Sequence, residues 1–211
     1  MLIYFVRHGQ TDWNVRRLYQ GQLDIPLNEQ GLRQAEQVGL RFEGVGIERI
    51  YHSPLARAAR TAQALHAHTG APLTPVEELK EICMGEWQGR SFADVRREDP
   101  ERARLFSERP DCPAPGGESY PELQRRALRA LEVPLASGLE TVAVVSHGAL
   151  LKTLICHFLC MDLAAIHTFD IANASVSAAL YEGGRFKVIT LNDMSHLPDA
   201  FAHLSQNSAV I

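Results

Sequence analysis

Thr141-Val142-Ala143-Val144-Val145 is an unbroken apolar run that leads straight into Ser146-His147-Gly148. A short run of this kind, rich in β-branched side chains and without polar alternation, suits a strand buried on both faces of a parallel sheet. The same arrangement occurs twice more. Leu2–Val6 leads into Arg7-His8-Gly9, and Arg49–His52 leads into Ser53-Pro54-Leu55-Ala56-Arg57. Between the strands lie helical segments. Asn28 reads as the N-cap of a helix whose apolar members are Leu32, Ala35, Val38, Leu40 and Phe42. Ser53 reads as a cap, with Pro54 in the first turn of a helix carrying Leu55, Ala58, Ala59, Ala62 and Leu65. Leu73–Val76 suits a further strand. A long helix is expected from about Tyr120 to Ala136, with Pro134 ending or kinking it. Another is expected over Ala149–Cys160. Val176–Tyr181 and Phe186–Leu191 read as a hairpin joined by Glu182-Gly183-Gly184, and the chain from Asn192 onward as a polar, irregular tail. Strands alternating with helices predict an α/β sheet.

Residues 81–117 break this pattern. Gly85, Gly89, Pro100, Pro110, Pro113, Pro115, Gly116 and Gly117 interrupt short helical pieces, which reads as an inserted cap over one end of the sheet. A length of 211 residues suits one large domain or one domain carrying such a cap, and a hydrophobic share of 45% is enough for an ordinary core. The formal charge of −4 disfavours a nucleic-acid partner, but a local arginine cluster can still dominate a pocket for a small anion. The four cysteines form no CxxC pair; Cys156 and Cys160, four apart, read as core residues on one helix face. The apolar start is too short for a signal peptide, and no stretch reaches the roughly 18 apolar residues that a membrane span needs, so a soluble, cytoplasmic protein is expected.

The chemistry gathers at the strand ends. In open α/β sheets ligands bind beyond the carboxyl ends of the strands, so Arg7-His8-Gly9, Ser53–Arg57 and Ser146-His147-Gly148 can converge on one site. They deliver two arginines and two histidines. Paired guanidinium groups clamp a tetrahedral oxyanion and repel a divalent metal. His8 therefore fits a nucleophile better than a metal ligand, because a neutral imidazole can attack phosphorus directly. His147 can hold an equatorial oxygen of the transferring group. The leaving alkoxide needs a proton donor. Glu81 lies at the edge of the breaker-rich segment, and spacing alone does not separate it from Glu77, Glu78 and Glu86.

Arg7-His8-Gly9-Gln10-Thr11-Asp12-Trp13-Asn14 resembles the signature of the histidine phosphatase superfamily, in its phosphoglycerate-mutase-like branch. Further segments resemble that family in order: Tyr19-Gln20-Gly21 with Asp24–Asn28 and Gly31, Ser53–Ala58 with Thr61-Ala62, Leu79–Ile82 with Gly85–Gly89, Pro115–Ser119, Ser146–Gly148 and Asn173–Val176. The resemblance implies a three-layer α/β/α fold with a mostly parallel central sheet and a small cap insertion, about residues 82–117, over the C-terminal ends of the strands. It implies one histidine-phosphatase domain over 1–211. It makes His8 the phosphohistidine, places Arg7, Arg57 and His147 around the phosphate, and selects Glu81 as acid and later base. Asn14, Gln20, Gly21 and the Gly148 backbone would contact phosphate or substrate. No metal or other cofactor is implied. The partner would be a small phosphorylated metabolite, with neither nucleic acid nor membrane involved; homodimers are common in the family.

The main expectation is a metal-independent phosphomonoesterase. A cofactor-dependent phosphoglycerate mutase is the alternative, disfavoured by the short segment after Gly89 and by Ala149, where mutases tend to carry Asn. A non-catalytic phospholigand-binding module would be expected to lose His8 or Glu81. No GxSxG elbow accompanies Ser146, so a serine hydrolase is not indicated. His66 and His68 read as surface residues, and His157 and His167 as core or surface residues. His196 keeps a substrate role as an alternative to a plain tail position. Trp13 and Trp87 read as packing residues. The arginines of residues 96–129, Arg125, Arg126 and Arg129 among them, read as solvated.

Overall fold

A computed structural model of the protein describes residues 1–198. In chain order the strands are β1 (Leu2–Arg7), β2 (Arg49–His52), β3 (Leu73–Pro75), β4 (Thr141–Ser146), β5 (Val176–Glu182) and β6 (Arg185–Asp193). The helices are α1 (Asp12–Val15), α2 (Glu29–Arg41), α3 (Ala56–Thr69), α4 (Phe92–Glu98), α5 (Pro100–Glu108), α6 (Tyr120–Leu135) and α7 (Gly148–Phe158). The sheet order is β3-β2-β4-β1-β5-β6. The first four strands run parallel; β5 is antiparallel to β1, and β6 to β5. The apolar run that opened the sequence, β4, sits in the middle, flanked by β1 and β2.

Side chains alternate between the sheet faces, so the inner strands β1, β2, β4 and β5 each feed two cores. Ile3, Phe5, Tyr51, Val142 and Val144 pack with residues of α6 and α7. Val6, Ile50, Ala143 and Val145 pack with residues of α2 and α3 on the other side. The result is the three-layer α/β/α arrangement. Residues 82–117 add α4 and α5. Trp87, Val95, Ala103 and Phe106 from this segment join the core on the α6–α7 side. Phe106 lies 5.3 Å from Trp87 and 5.5 Å from Tyr120, so the segment is fixed to the domain through an aromatic cluster. No helix among the described residues is long and apolar enough to cross a membrane.

Several local expectations are corrected. Asn28 does cap α2, accepting from Gly31 N at 2.8 Å. The buried face of α2, however, is Gly31, Gln34, Ala35, Val38 and Gly39, while Leu32 and Leu40 are exposed. Small residues let α2 lie close against α3, which turns the leucines outward. Ser53 does not cap α3. That helix starts at Ala56, whose N–H donates to Asp24 Oδ1 at 2.6 Å, and Ser53 is engaged elsewhere. Pro134 lies within the last turn of α6, which ends one residue later. Helix α7 ends at Phe158, so Cys160 falls beyond it in a left-handed conformation and is exposed, whereas Cys156 is buried. Asn192 and Asp193 belong to β6 and not to an irregular tail; the rest of that tail beyond Pro198 lies outside the described residues.

Candidate active site

The register explains why the site forms. Arg7 pairs with Ser146 across β1 and β4, and His52 pairs with Val145 across β2 and β4. The next residues therefore leave the sheet side by side. His8 N donates to Ser146 O at 3.0 Å, and the rings of His8 and His147 meet edge to face with centroids 5.1 Å apart.

His8 is buried, with Nδ1 2.7 Å from Gly9 O. A carbonyl only accepts, so Nδ1 carries the proton and Nε2 keeps the free lone pair. Burial, followed by the charges of Arg57 and Arg7, holds the His8 imidazole well below its ordinary value. The ring is neutral and nucleophilic at neutral pH. The loop bearing it is tied down from several sides. Gly9 N donates to Thr61 Oγ1 at 3.2 Å, and Asn173 Nδ2 lies 3.1 Å from His8 O and 3.3 Å from Asn14 Oδ1.

The guanidinium groups are just as fixed. Arg57 is fully buried and donates from Nη1 to Leu23 O and from Nη2 to Gly21 O, each at 2.8 Å. Arg7 Nη1 donates to Ile171 O at 2.5 Å. The Nε–H of both arginines is buried and has no partner within the protein. Buried donors on two cations are strong candidates for an anion's oxygens. Burial pushes Arg57 down to about 10, which leaves it charged at neutral pH.

His147 is completely buried, with Nε2 2.8 Å from Ser53 Oγ. Ser53 Oγ already accepts from Leu55 N at 3.3 Å, so its own proton is free to go to Nε2. Nδ1–H then becomes the donor, and Nδ1 has no partner. Burial first, then Arg57, His8 and Arg7, also keep this imidazole well below its ordinary value. Ser53→Ala should leave Nε2 buried and unsatisfied, lowering stability by about 1–3 kcal/mol. It should also cut turnover, because the tautomer is no longer held. Normal turnover in the folded variant would remove Ser53 from this role.

The two neutral histidines set a pH dependence. Unfolded, each binds a proton below about pH 6.5; folded, neither does until far lower pH. The unfolded chain thus holds more protons in that window, and stability falls as pH drops below about 6.5, by up to about 1.4 kcal/mol per pH unit for each histidine. Chemical denaturation across this range should show a shallower slope in His147→Gln than in the parent. An unchanged slope would mean that His147 is protonated in the folded state.

Glu81 sits at the start of α7. Its Oε1 accepts from Ile82 N at 2.9 Å and Leu150 N at 3.2 Å, and Oε2 accepts from Ala149 N at 3.2 Å. Since His147 gives α7 no side-chain cap, Glu81 supplies that function through space. Arg7, His8, Arg57, Glu81, Asn14, Gln20 and Gly21 line one cavity of about 200 Å³. Its outer wall is Leu18, Tyr19, Ile82, Met84, Phe92, Phe106 and Tyr120.

The remaining sequence candidates divide. Gln20 Oε1 is buried without a partner and faces this site. Gly21 holds Arg57 through its carbonyl; its φ is +52°, and a Cβ there would lie 2.2 Å from Gln88 Oε1. Gly148 does not line the cavity, but a Cβ on it would press on the Arg7 guanidinium at 3.3 Å, so it makes room for Arg7. His66, His68, His157 and His167 lie away from the cavity lining, and His196 Nε2 is 3.0 Å from Ala174 O. Trp87 is core, while Trp13 borders a neighbouring cavity of about 540 Å³ that shares Arg7, Asn14, Leu18 and Phe92. Sequence reading missed Ser53 as the partner of His147, Thr61 and Asn173 as supports of the His8 loop, and Arg126, which is half-buried against the Glu81 segment and not fully solvated.

Among the described residues, no three or more His, Cys, Asp or Glu side chains gather as a metal site would require. The geometry resembles known proteins throughout. Among solved structures, Bacillus stearothermophilus YhfR superposes with a TM-score of 0.88 at 36% identity, covering 92% of this chain and 98% of its own. A mycobacterial glucosyl-3-phosphoglycerate phosphatase in complex with VO3 superposes with a TM-score of 0.85 at 29% identity, covering 90% and 98%. In sequence, the probable phosphoglycerate mutase GpmB of Proteus mirabilis is 35% identical over 204 residues, 93% of this chain and 95% of that protein. The profile of the histidine phosphatase superfamily (branch 1) matches residues 3–194, and the chain belongs to that superfamily.

Proposed function

We propose that the protein is a phosphatase that hydrolyses small phosphomonoesters through a phosphohistidine on His8, without a metal. One observation carries the reading: His8, neutral and with Nε2 free, shares a single cavity with the buried Arg57, the half-buried Arg7 and the Glu81 carboxyl.

The reaction runs in two displacements. Arg7, Arg57 and the Nδ1–H of His147 hold the phosphoryl oxygens. Nε2 of His8 attacks phosphorus as the bond to the ester oxygen breaks, and Glu81, entering as the acid, gives its proton to that oxygen. The alcohol leaves. Glu81, now a carboxylate, takes a proton from water; the water oxygen attacks phosphorus, the N–P bond breaks, and inorganic phosphate departs. The fixed donors stabilise charge on the transferring group in both steps. Residues 82–117 act as a cap: Met84, Phe92 and Phe106 form the wall that the alcohol meets.

A mutase is the second reading, since relatives such as the Proteus mirabilis protein carry that description. A mutase must hold a second anionic group beside the first. Among the described residues, the lining of the cavity that holds His8 has no lysine or arginine beyond Arg7 and Arg57, and its outer wall is apolar and aromatic; Arg17 lines only the neighbouring cavity. This favours hydrolysis.

A panel of phosphomonoesters assayed in excess chelator tests the proposal. Undiminished release of phosphate is expected. Activity lost in chelator and restored by a divalent cation would contradict it. Activity that depends on bisphosphoglycerate would favour the mutase, and no turnover with no labelled His8 would leave a binding module.

A further inference from the structure

We propose that Arg126, paired with Glu118, positions the general acid: the pair sets the path of the backbone around Glu81 and so the place of the Glu81 carboxyl in the cavity. The inference rests on the reading of Glu81 as acid given above.

Arg126 lies on α6, where a charged residue is ordinarily solvated, yet its side chain and that of Glu118 are each only 15% exposed. A guanidinium group has five N–H donors, and all five are used here. Nη1 donates to Glu78 O and Lys80 O, both at 2.7 Å. Nη2 donates to Glu81 O at 3.1 Å and to Glu118 Oε2 at 2.7 Å, and Nε donates to Glu118 Oε1 at 2.9 Å. Glu118 in turn accepts from Cys83 N at 3.3 Å. The pair therefore grips the acid-bearing backbone at residues 78, 80 and 81 and again at 83. Gln22 Nε2 adds a second donor to Glu81 O at 3.0 Å.

Three backbone acceptors from one short segment, met by one planar fork, point to positioning rather than to general packing. The hydrogen bonds that hold His8, Arg7, Arg57 and His147 do not involve Arg126. Loss of the clamp should displace Glu81 and leave the nucleophile and phosphate donors in place. An acid matters most when the leaving group is a poor one. Hence the clamp should be felt on alkyl esters and much less on aryl esters whose phenols leave unaided.

The test compares kcat/KM for an alkyl phosphate and a nitrophenyl phosphate in the full chain. Arg126→Ala is expected to lose about tenfold or more on the alkyl ester beyond its loss on the aryl ester. Arg126→Lys, with three donors and no planar fork, should fall between. Leu131→Ala, a core truncation on the same helix, should lower Tm and leave the ratio of the two esters at the parent value. Equal losses on both esters in Arg126→Ala, or no loss, overturn the proposal. If Arg126→Ala does not fold, the ratio in Arg126→Lys decides in the same way. Glu81→Gln on the same two esters separates the two levels of the argument. If it shows no leaving-group selectivity, the reading of Glu81 as acid has failed; if it does and the Arg126 variants do not, the clamp alone has failed.

Discussion

His8→Ala should lower kcat/KM for every phosphomonoester by about 10⁴-fold or more, the scale seen when a covalent nucleophile is removed from a site that otherwise stays intact. The fold should survive the change. His8 is small, its ring stacks edge to face on His147, and the loop that carries it is held through backbone groups by Ser146, Thr61 and Asn173. The variant should therefore still bind phosphate or vanadate at Arg7 and Arg57 while failing to turn over. This separation of binding from chemistry is the informative part. Loss of both would mean that the variant had collapsed, and retained turnover would remove His8 from the reaction.

Glu81→Gln should have the second largest effect, about 10²- to 10⁴-fold on alkyl esters. The amide oxygen can still accept from Ile82 N and Leu150 N, and only the bond from Ala149 N, which the amide NH2 cannot accept, is given up, so the residue can stay close to its place. What it loses is the acidic proton that the leaving group needs. With an alkyl leaving group, the first displacement should become slow. With a nitrophenyl leaving group, the first displacement needs little help, but the second still needs a base. A fast release of one equivalent of phenol followed by slow turnover is then expected. Stopped-flow absorbance reads it directly. A variant that slows uniformly, with no burst on the aryl ester, would show that Glu81 does not act as the base.

Most of the sheet and half of the candidate site were legible in the sequence, for definable reasons. Parallel strands buried on both faces must be continuous apolar runs, so β1, β2 and β4 stand out, and the residues that follow them must gather at one end of the sheet. His8, Arg7, Arg57 and His147 were legible in this way. Glu81 was not separable from Glu77, Glu78 and Glu86 by spacing, because what distinguishes it is its contact with the amides that begin α7, 68 residues away. Only family resemblance singled it out. Ser53 was misread as a helix cap because the local pattern suited one; its true partner, His147, is 94 residues distant. Arg126 looked solvated because its backbone acceptors leave no mark on the sequence. Leu32 and Leu40 read as apolar members of α2, but the buried face of that helix is Gly31, Gln34, Ala35, Val38 and Gly39, so side-chain volume, and not polarity alone, decided which face is buried.

The whole two-step reaction depends on a covalent phosphoryl group on His8. A single turnover with a radiolabelled aryl phosphate, quenched in base and mapped by peptide, tests it most directly. Label is expected on His8, stable in base and lost in acid, formed as fast as the phenol appears and then discharged as inorganic phosphate. Steady turnover with no label on the protein, or label on any other residue, would contradict it.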